Sequence, residues 1–246
     1  MIRDGWFGRP WLVRIPLAVG VCAAFAGAAA TASEEGSEGS VGILGTSSTF
    51  TGTGSGDEIL VGQTTDRGCG SGYRYVACIN DEWRNGGCYS GIGDVVSVYG
   101  YGGDDTINFA RTNLGDVQCG GSWKYVYAMD RATCPEILVY CSFGADTVNG
   151  SNCGDVIYGG SGNDLLDGWY GNDQVYGESG DDQLWGYYGA DVVDGGAGTS
   201  DRLRGEADGD CLRDSDGWYV ADCGSGIDYY ELSGSPTSCE YYGCIY

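Results

Sequence analysis

In the C-terminal half of the chain an aspartate recurs every nine residues. An aliphatic residue follows each of these aspartates two positions later, as Leu166 follows Asp164. The unit that begins at Gly159 reads Gly-Gly-Ser-Gly-Asn-Asp-Leu-Leu-Asp, and we number its positions one to nine. A period this regular predicts a solenoid. The recurring aspartates are Asp146, Asp155, Asp164, Asp173, Asp182 and Asp191, followed after one inserted residue by Asp201 and Asp210.

The unit predicts a short strand that alternates with a tight turn. Glycines at positions one and four permit the positive φ angles of such a turn, and the residues after it form a strand whose middle side chain points inward. Two units complete one coil, so residues eighteen apart stack in parallel strands about 4.8 Å apart. Asp146, Asp164 and Asp182 then line one edge of the solenoid. Asp155, Asp173 and Asp191 line the other.

Stacked carboxylates require a counter-charge. At about 5 Å and an effective dielectric near 20, neighbouring aspartates repel each other by roughly 3 kcal/mol, so the bare ladder opposes folding. Carboxylates and turn carbonyls are hard oxygen ligands, which suit Ca²⁺ better than a transition metal. We therefore predict calcium sites along both edges. The alternative is a set of solvated Asp-Gly turns without metal.

These residues resemble the repeats-in-toxin (RTX) family of calcium-binding repeats, with the consensus Gly-Gly-x-Gly-x-Asp-x-aliphatic-x. The resemblance covers residues 141–213 and implies an all-β fold, a parallel β-roll with calcium between the turns of neighbouring coils. It implies that the position-six aspartates from Asp146 to Asp191 are ligands, together with Asp201 and Asp210. Asp208 replaces the glycine of the last turn, and Cys141 and Cys153 replace glycines of the first two.

Weaker copies of the unit lie upstream. Asp105 lies in a good match that runs from Gly100 to Ile107, and we include Asp105 among the predicted ligands. Asp57 lies in a looser match, and Asp94 is a third candidate.

Two similar insertions separate the upstream copies. Cys69 and Cys119 open aromatic, β-prone stretches that are followed by Cys88 and Cys134, respectively. We expect residues 49–140 to form the same roll, interrupted by two loops or hairpins that disulfides tie down. A separate small β domain is the alternative.

The N-terminus has the pattern of a signal peptide. Arg3, Arg9 and Arg14 precede an apolar run, and Ala30-Thr31-Ala32 offers a cleavage site, so we assign residues 1–32 to a signal peptide. Residues 33–48 are polar and are expected to form a flexible linker. A retained membrane anchor is the alternative.

Charge and cysteine content indicate an extracellular protein. The chain carries a net charge of −23, and removal of residues 1–32, whose net charge is +2, leaves −25. Nucleic acid and anionic membranes are therefore excluded as partners, because both require a basic face. Eleven cysteines remain after this removal, which points to disulfides formed outside the cytoplasm. Because eleven is odd, at least one thiol is free or pairs between chains.

The absence of histidine argues against catalysis. Without histidine there is no Ser-His-Asp or Cys-His arrangement and no His-Glu-x-x-His metalloprotease site. We expect no enzymatic activity. The alternative is a secreted carbohydrate-active enzyme that uses a carboxylate pair, for which Asp81, Glu82 and Asp130 in the insertions are the best placed.

Aromatic residues mark one edge of the predicted roll and its C-terminal end. Trp169 and Tyr170 lie eighteen residues before Tyr187 and Tyr188, and this edge is a candidate surface for an extracellular glycan or protein. Alternatively, these rings pack against the insertions.

Residues 214–246 are expected to cap the last coil with Trp218, Tyr219, Tyr229 and Tyr230. Residues 222–240 resemble a segment that follows some bacterial RTX arrays. That resemblance implies a Cys223–Cys239 disulfide and leaves Cys211 and Cys244 as a second pair. The sequence as a whole predicts a secreted calcium-binding β-roll that acts as a structural or adhesive module at the cell surface.

Overall fold

The computed structural model describes residues 47–65, 69, 73–88, 93–129, 131, 134–215, 220–231 and 236–244. The chain divides into two units, Met1–Ser40 and Val41–Tyr246, and every described residue belongs to the second. The predicted signal peptide (1–32) lies outside the described residues, as do Asp130, Trp218, Tyr219 and all of the predicted linker except Ser47 and Ser48. The described ranges contain no helix that is long and apolar enough to cross a membrane.

The fold is built from short strands. In chain order they are β1 (Ser47–Thr51), β2 (Glu58–Thr65), β3 (Tyr73–Ile79), β4 (Glu82–Cys88), β5 (Val95–Gly102), β6 (Thr106–Phe109), β7 (Gly115–Cys119), β8 (Ser122–Val126), β9 (Glu136–Phe143), β10 (Thr147–Asn149), β11 (Asp155–Ser161), β12 (Leu165–Tyr170), β13 (Gln174–Ser179), β14 (Gln183–Tyr188), β15 (Val192–Asp194), β16 (Arg202–Ala207), β17 (Cys211–Arg213), β18 (Val220–Asp222), β19 (Tyr229–Glu231) and β20 (Tyr241–Tyr242).

Two long sheets face each other and enclose the core. The first has the order β1-β5-β9-β11-β13-β15-β17-β19-β20, and the second has the order β18-β16-β14-β12-β10-β6-β2-β3-β4. Successive repeat strands alternate between the sheets and pair in parallel within each. Val156 pairs with Gln174 and Leu165 pairs with Gln183, in each case eighteen residues later. The predicted parallel β-roll with two units per coil is therefore confirmed.

The inward side chains follow the predicted pattern. The aliphatic residue at position eight is fully buried in every unit of the array, as Ile157 and Leu166 show. The residue inserted near Thr199 lengthens the pairing offset to nineteen, so that Gln183 pairs with Arg202. The extra residue is taken up in the turn, and the core spacing is kept because Leu184 still pairs with Leu203.

The coils continue upstream of the regular array. Val98 of β5 pairs with Val139 of β9, and Ile107 of β6 pairs with Val148 of β10. The parallel strands between β1 and β9 thus belong to the same two sheets and the same core as the regular repeats.

The first insertion covers the N-terminal end of the roll. Strand β3 pairs antiparallel with β2, and β4 pairs antiparallel with β3, so the hairpin extends the second sheet past the first coil. Tyr75, Ala77 and Ile79 alternate along β3 and join the buried core. The Gly87 N–H donates a 2.7 Å hydrogen bond to Ser48 Oγ on β1. The hairpin therefore closes the end of the solenoid that would otherwise be exposed.

The second insertion docks on the first. Its β7–β8 hairpin forms a small sheet of its own, and Cys119 is joined to Cys78 of β3. The predicted closure of the first insertion by Cys69 and Cys88 is found, but Cys119 does not pair with Cys134. Cys134 pairs instead with Cys153 of the roll. The second insertion is thus linked by disulfides to the first insertion and to the array, and it has no disulfide that closes it on itself.

The C-terminal end carries the Cys223–Cys239 disulfide that the resemblance implied, and Cys211 pairs with Cys244, which the resemblance had left as a second possibility. Strands β19 and β20 extend the first sheet over the last coil, with the Tyr229 and Tyr241 rings 5.5 Å apart. Among the described cysteines Cys141 alone has no disulfide, and its side chain is fully buried.

Candidate metal centre

The position-six aspartates form two continuous hydrogen-bonded ladders. The backbone N–H of each donates to Oδ1 of the aspartate one coil further along the roll. This distance is 2.8 Å from Asp155 to Asp173, from Asp164 to Asp182 and from Asp173 to Asp191. The carboxylates are thereby held in register at the two turn edges, with at most 3% of each residue exposed.

All nine residues that the sequence predicted as ligands lie in these ladders, which extend further than predicted. At the edge of the second sheet the members are Asp57, Asp105, Asp146, Asp164, Asp182 and Asp201. At the edge of the first sheet they are Asp155, Asp173, Asp191, Asp210 and Asp228, and the row ends where the Asp228 N–H donates to Glu240 Oε2. Asp57 and Asp228 were missing from the predicted ligand set. The spacing could have predicted Asp228, because it lies eighteen residues after Asp210.

The candidate copy at Asp94 is in the wrong register. Val98, rather than Val96, pairs with the inward Val139, so position six of this coil is Val96 and the aligned residue of the next coil is Ile137. Both are fully buried apolar residues. Asp94 lies two residues before the ladder position and accepts a 2.9 Å hydrogen bond from Tyr75 Oη. The first-sheet ladder therefore starts at Asp155.

In most ladder residues the second carboxylate oxygen, Oδ2, is the atom that is available to bind another group. It is buried and has no hydrogen-bond partner, a state that costs free energy unless another group compensates it. This holds for Oδ2 of Asp105, Asp146, Asp164, Asp173, Asp182, Asp191, Asp210 and Asp228. A cation beside these oxygens, or a proton on them, would compensate this cost.

Glycine at position one is required in most units because the aspartate oxygen lies where its Cβ would be. A Cβ on Gly159 or Gly168 would lie closer than 3.0 Å to Oδ2 of Asp164 or Asp173. The sequence interpretation assigned the positive φ angles to positions one and four, and for position one this is wrong. Positive φ occurs at positions two and four, as at Gly160 (105°) and Gly162 (139°). Position one is therefore glycine because of space.

Backbone oxygens share the same space. The carbonyl oxygen of Gly177, one coil further on, also lies within 3.0 Å of the place that a Cβ on Gly159 would occupy, close to Asp164 Oδ2. No group of three or more acidic or cysteine side chains suited to a metal occurs in the described ranges. Each turn instead offers single carboxylates with backbone carbonyls around them. This donor set fits a hard cation with flexible oxygen coordination, which is Ca²⁺.

Burial changes the acidity of the ladder. It raises the pKa of Asp164 and Asp191 to about 7. Burial, followed by repulsion from Asp155 and Asp191, raises the pKa of Asp173 to about 9. Desolvation penalises the charged form, so near neutral pH these carboxyl groups hold protons unless a cation balances their charge.

The aromatic edge is covered in part by the second insertion. The rings stack as predicted across the coils, with Tyr170 and Tyr188 4.6 Å apart. The Arg111 guanidinium lies 4.3 Å from the centroid of Trp169, and that of Arg131 lies 4.0 Å from the centroid of Tyr170. Tyr188 is 46% exposed. Two of the four rings of this edge are thus in contact with arginines of the insertion.

A row of tyrosines on the first sheet was missed in the sequence. The rings of Tyr99, Tyr140, Tyr158 and Tyr176 stack nearly parallel at 5.0–5.1 Å. They occupy position nine in four successive coils, and the spacing of eighteen residues from Tyr140 to Tyr158 and Tyr176 was the available signal. Each inner ring has both faces covered by its neighbours, so the row stabilises the stacking of the coils.

Comparison with known proteins agrees with this geometry. A family model for the RTX calcium-binding nonapeptide repeat matches with four copies, in residues 96–113, 142–174 and 167–201. Neither the comparison with curated proteins nor the one with solved structures gives a match. The matched segments contain both ladders from Asp105 to Asp201. Residues 96–113 and 142–201 are therefore RTX calcium-binding repeats.

Proposed function

We propose that this protein is a secreted, non-enzymatic module whose β-roll is held together by Ca²⁺ and which serves a structural or adhesive role outside the cell. The observation that carries the proposal is the row of buried Oδ2 atoms without partners, most of which lie against a position-one glycine. The ligands would be the nine predicted aspartates together with Asp57 and Asp228. Backbone carbonyls of the turns would complete each site.

Calcium would act chiefly on folding. The ladder carboxylates repel one another, and their burial disfavours the charged form. A divalent cation between two coils removes both costs at once, and its binding free energy becomes folding free energy because the turns place the ligands only in the folded state. Calcium concentration would then decide whether the roll is formed.

Export from the cell is supported by the disulfides. Five disulfides join ten of the described cysteines. Disulfides in this number form in oxidising compartments. The basic and apolar pattern of residues 1–32 is consistent with the same route.

The lack of catalysis is supported by the state of the candidate carboxylates. Both oxygens of Glu82 are bound by Arg84, at 2.6 and 2.7 Å, in an exposed pair. Asp81 lines a small cavity of about 170 Å³ together with Glu58. Among the described carboxylates of the first insertion, these two are the pair that shares a cavity. We propose that they are surface charges, and E58Q tests this, because an enzyme would lose its activity on polysaccharide substrates in this variant.

The aromatic edge is proposed to serve packing. Arg111 joins Trp169 to Asp167 through a 2.8 Å ion pair and donates to the Gly150 carbonyl at 2.9 Å. These contacts attach the second insertion to the roll. The aromatic residues are therefore explained by packing, and no binding partner is needed to account for them. We expect R111Q to lower the melting temperature of the calcium-bound protein, and an unchanged melting temperature would leave this edge free for a partner.

Localisation and redox state provide the test of the secreted role. The protein expressed with residues 1–32 should be recovered outside the cytoplasm, with residues 33–246 intact and a mass lower by ten hydrogens than that of the fully reduced chain. Recovery in the cytoplasm with reduced thiols would contradict the proposal. A culture without residues 1–32 serves as the control.

A further inference from the structure

A cavity of about 460 Å³ lies where the two insertions meet the roll. Its walls come from β2 and β3 of the first insertion, from the chain on either side of the β7–β8 hairpin and from a turn of the array. Residues from all these segments line it, among them Gln63, Tyr73, Tyr127 and Asn152. The size falls within the usual range of small-molecule sites. Asn152 belongs to the turn before Asp155, but no ladder aspartate is among the residues that line the cavity.

Two aromatic rings form one wall of the cavity. Tyr73 and Tyr127 meet edge to face, with ring centroids 5.2 Å apart and planes at 89°. Both residues are half-buried. Rings held in this way present an apolar face to a ligand and a phenol group that can exchange hydrogen bonds with it.

A buried amide inside this wall has an unfilled hydrogen-bonding capacity. Gln63 is 4% exposed, and its Nε2 has no hydrogen-bond partner. Its backbone is fixed by two hydrogen bonds with Tyr127, at 3.0 and 2.8 Å, so the side chain is anchored at the cavity. An unsatisfied buried amide destabilises a fold. An acceptor oxygen from a ligand would satisfy it.

The charge of the lining is opposite to that of the protein. Among the described residues Arg131 is the one charged residue that lines the cavity, and the amides of Asn113 and Asn152 add further donors. No acidic residue of the described ranges lines it, although the chain has a net charge of −23. Such a site selects a ligand rich in acceptor oxygens that carries a negative charge.

The walls are preorganised. The Cys78–Cys119 disulfide joins the two insertions, and Cys134–Cys153 joins the chain after β8 to the array. A site whose walls are tied covalently loses little conformational entropy when a ligand binds.

We propose that this cavity binds a pyranose that carries a carboxylate, that is, a uronic acid unit of a glycan. The ring would lie against Tyr73 and Tyr127, a ring oxygen or hydroxyl would accept from Gln63 Nε2, and the carboxylate would pair with Arg131. The inference rests on the adhesive role proposed above and names its ligand class.

Titration calorimetry on the calcium-bound protein tests the assignment, with methyl glucuronide and methyl galacturonide as ligands and the matching neutral methyl glycosides as references. The uronates should bind saturably and at least about tenfold more tightly than the neutral sugars. R131Q should abolish this preference, and Q63M should weaken uronates and neutral sugars alike. R84Q removes an exposed arginine of the first insertion that does not line the cavity, and its binding should equal that of the wild type.

Binding that is insensitive to both R131Q and Q63M, or no uronate binding by the folded wild type, would overturn the assignment. Circular dichroism of the same samples reports calcium-dependent folding separately. A folded protein that ignores uronates refutes the cavity and leaves the calcium-folded module standing. If folding does not depend on calcium but uronate still binds, the cavity assignment stands and the calcium-folded module is refuted.

Discussion

Asp155 and Asp173 are joined across one coil by a 2.8 Å hydrogen bond from the Asp155 N–H to Asp173 Oδ1, while Asp173 Oδ2 lies buried without a partner beside Gly168. In most ladder carboxylates one oxygen thus accepts a hydrogen bond from the preceding coil and the other is left for a cation, whereas both oxygens of Asp155 accept from Ser151. Coil stacking and cation binding are therefore coupled along most of each ladder.

The first prediction concerns a mid-array ligand. D173N keeps an oxygen that can accept from the Asp155 N–H but removes the negative charge. The affinity for Ca²⁺ should therefore fall about tenfold or more, and fewer Ca²⁺ ions should bind cooperatively. Calcium titration calorimetry measures both quantities. D116N removes an exposed charge on β7, away from the ladders, and should leave the titration unchanged. Equal effects of the two variants would show that the ladder does not hold the cation.

The second prediction concerns the glycine at position one. G168A places a methyl group against the Asp173 carboxylate, where there is no space for it, and should lower the free energy of unfolding in calcium by about 1–3 kcal/mol. G121A is the matched control, because a Cβ there meets nothing within 4 Å. Urea denaturation distinguishes them. Similar midpoints for both variants would refute the spatial role of position one.

The third prediction concerns pH. The raised pKa values of Asp164, Asp182 and Asp173, about 7, 6 and 9, lie above the unfolded value of about 3.9. Without calcium, the folded form is favoured most below pH 4, and that stability is lost as pH rises through the folded pKa values. Calcium needs deprotonated ligands, so its affinity should rise over the same range. From pH 5 to pH 8 the urea midpoint should fall in the presence of chelator and rise in saturating calcium. Midpoints that move in the same direction under both conditions would contradict this prediction.

The fourth prediction uses Cys141 as a reporter. Its thiol is fully buried at position one of the array, and burial raises its pKa, so it should be inert while the roll is formed. In protein without residues 1–32, which also lacks Cys22, a maleimide should react slowly in calcium and many times faster after chelation. Rapid labelling in saturating calcium would mean that this coil is open in the calcium-bound protein.

The array was predictable because its period fixes its geometry. Asp164 and Leu166 repeat at nine residues, and two units per coil place Asp182 next to Asp164, as observed. The same arithmetic extended to Asp228 would have completed the first-sheet ladder. Asp94 was misplaced because the copy around it is too degenerate to reveal that Val98 is the inward residue.

The insertions were less predictable because tertiary docking decides their contacts. Cys78 meets Cys119 only when the two hairpins pack on each other, and nothing in the local sequence encodes that contact. The cover that Arg111 provides for Trp169 likewise depends on docking. Positive φ at Trp169 and Tyr187 runs against residue preference, and the geometry of the turn imposes it.

Far-UV circular dichroism with hydrogen exchange, on the disulfide-intact protein with and without chelator, tests most directly whether calcium forms the roll. We predict that chelation removes most of the β signal and the amide protection of residues 141–213, and that added Ca²⁺ restores both. Magnesium at the same concentration should restore much less, because it demands a stricter geometry. A β signal and protection pattern unchanged by excess chelator would contradict the account.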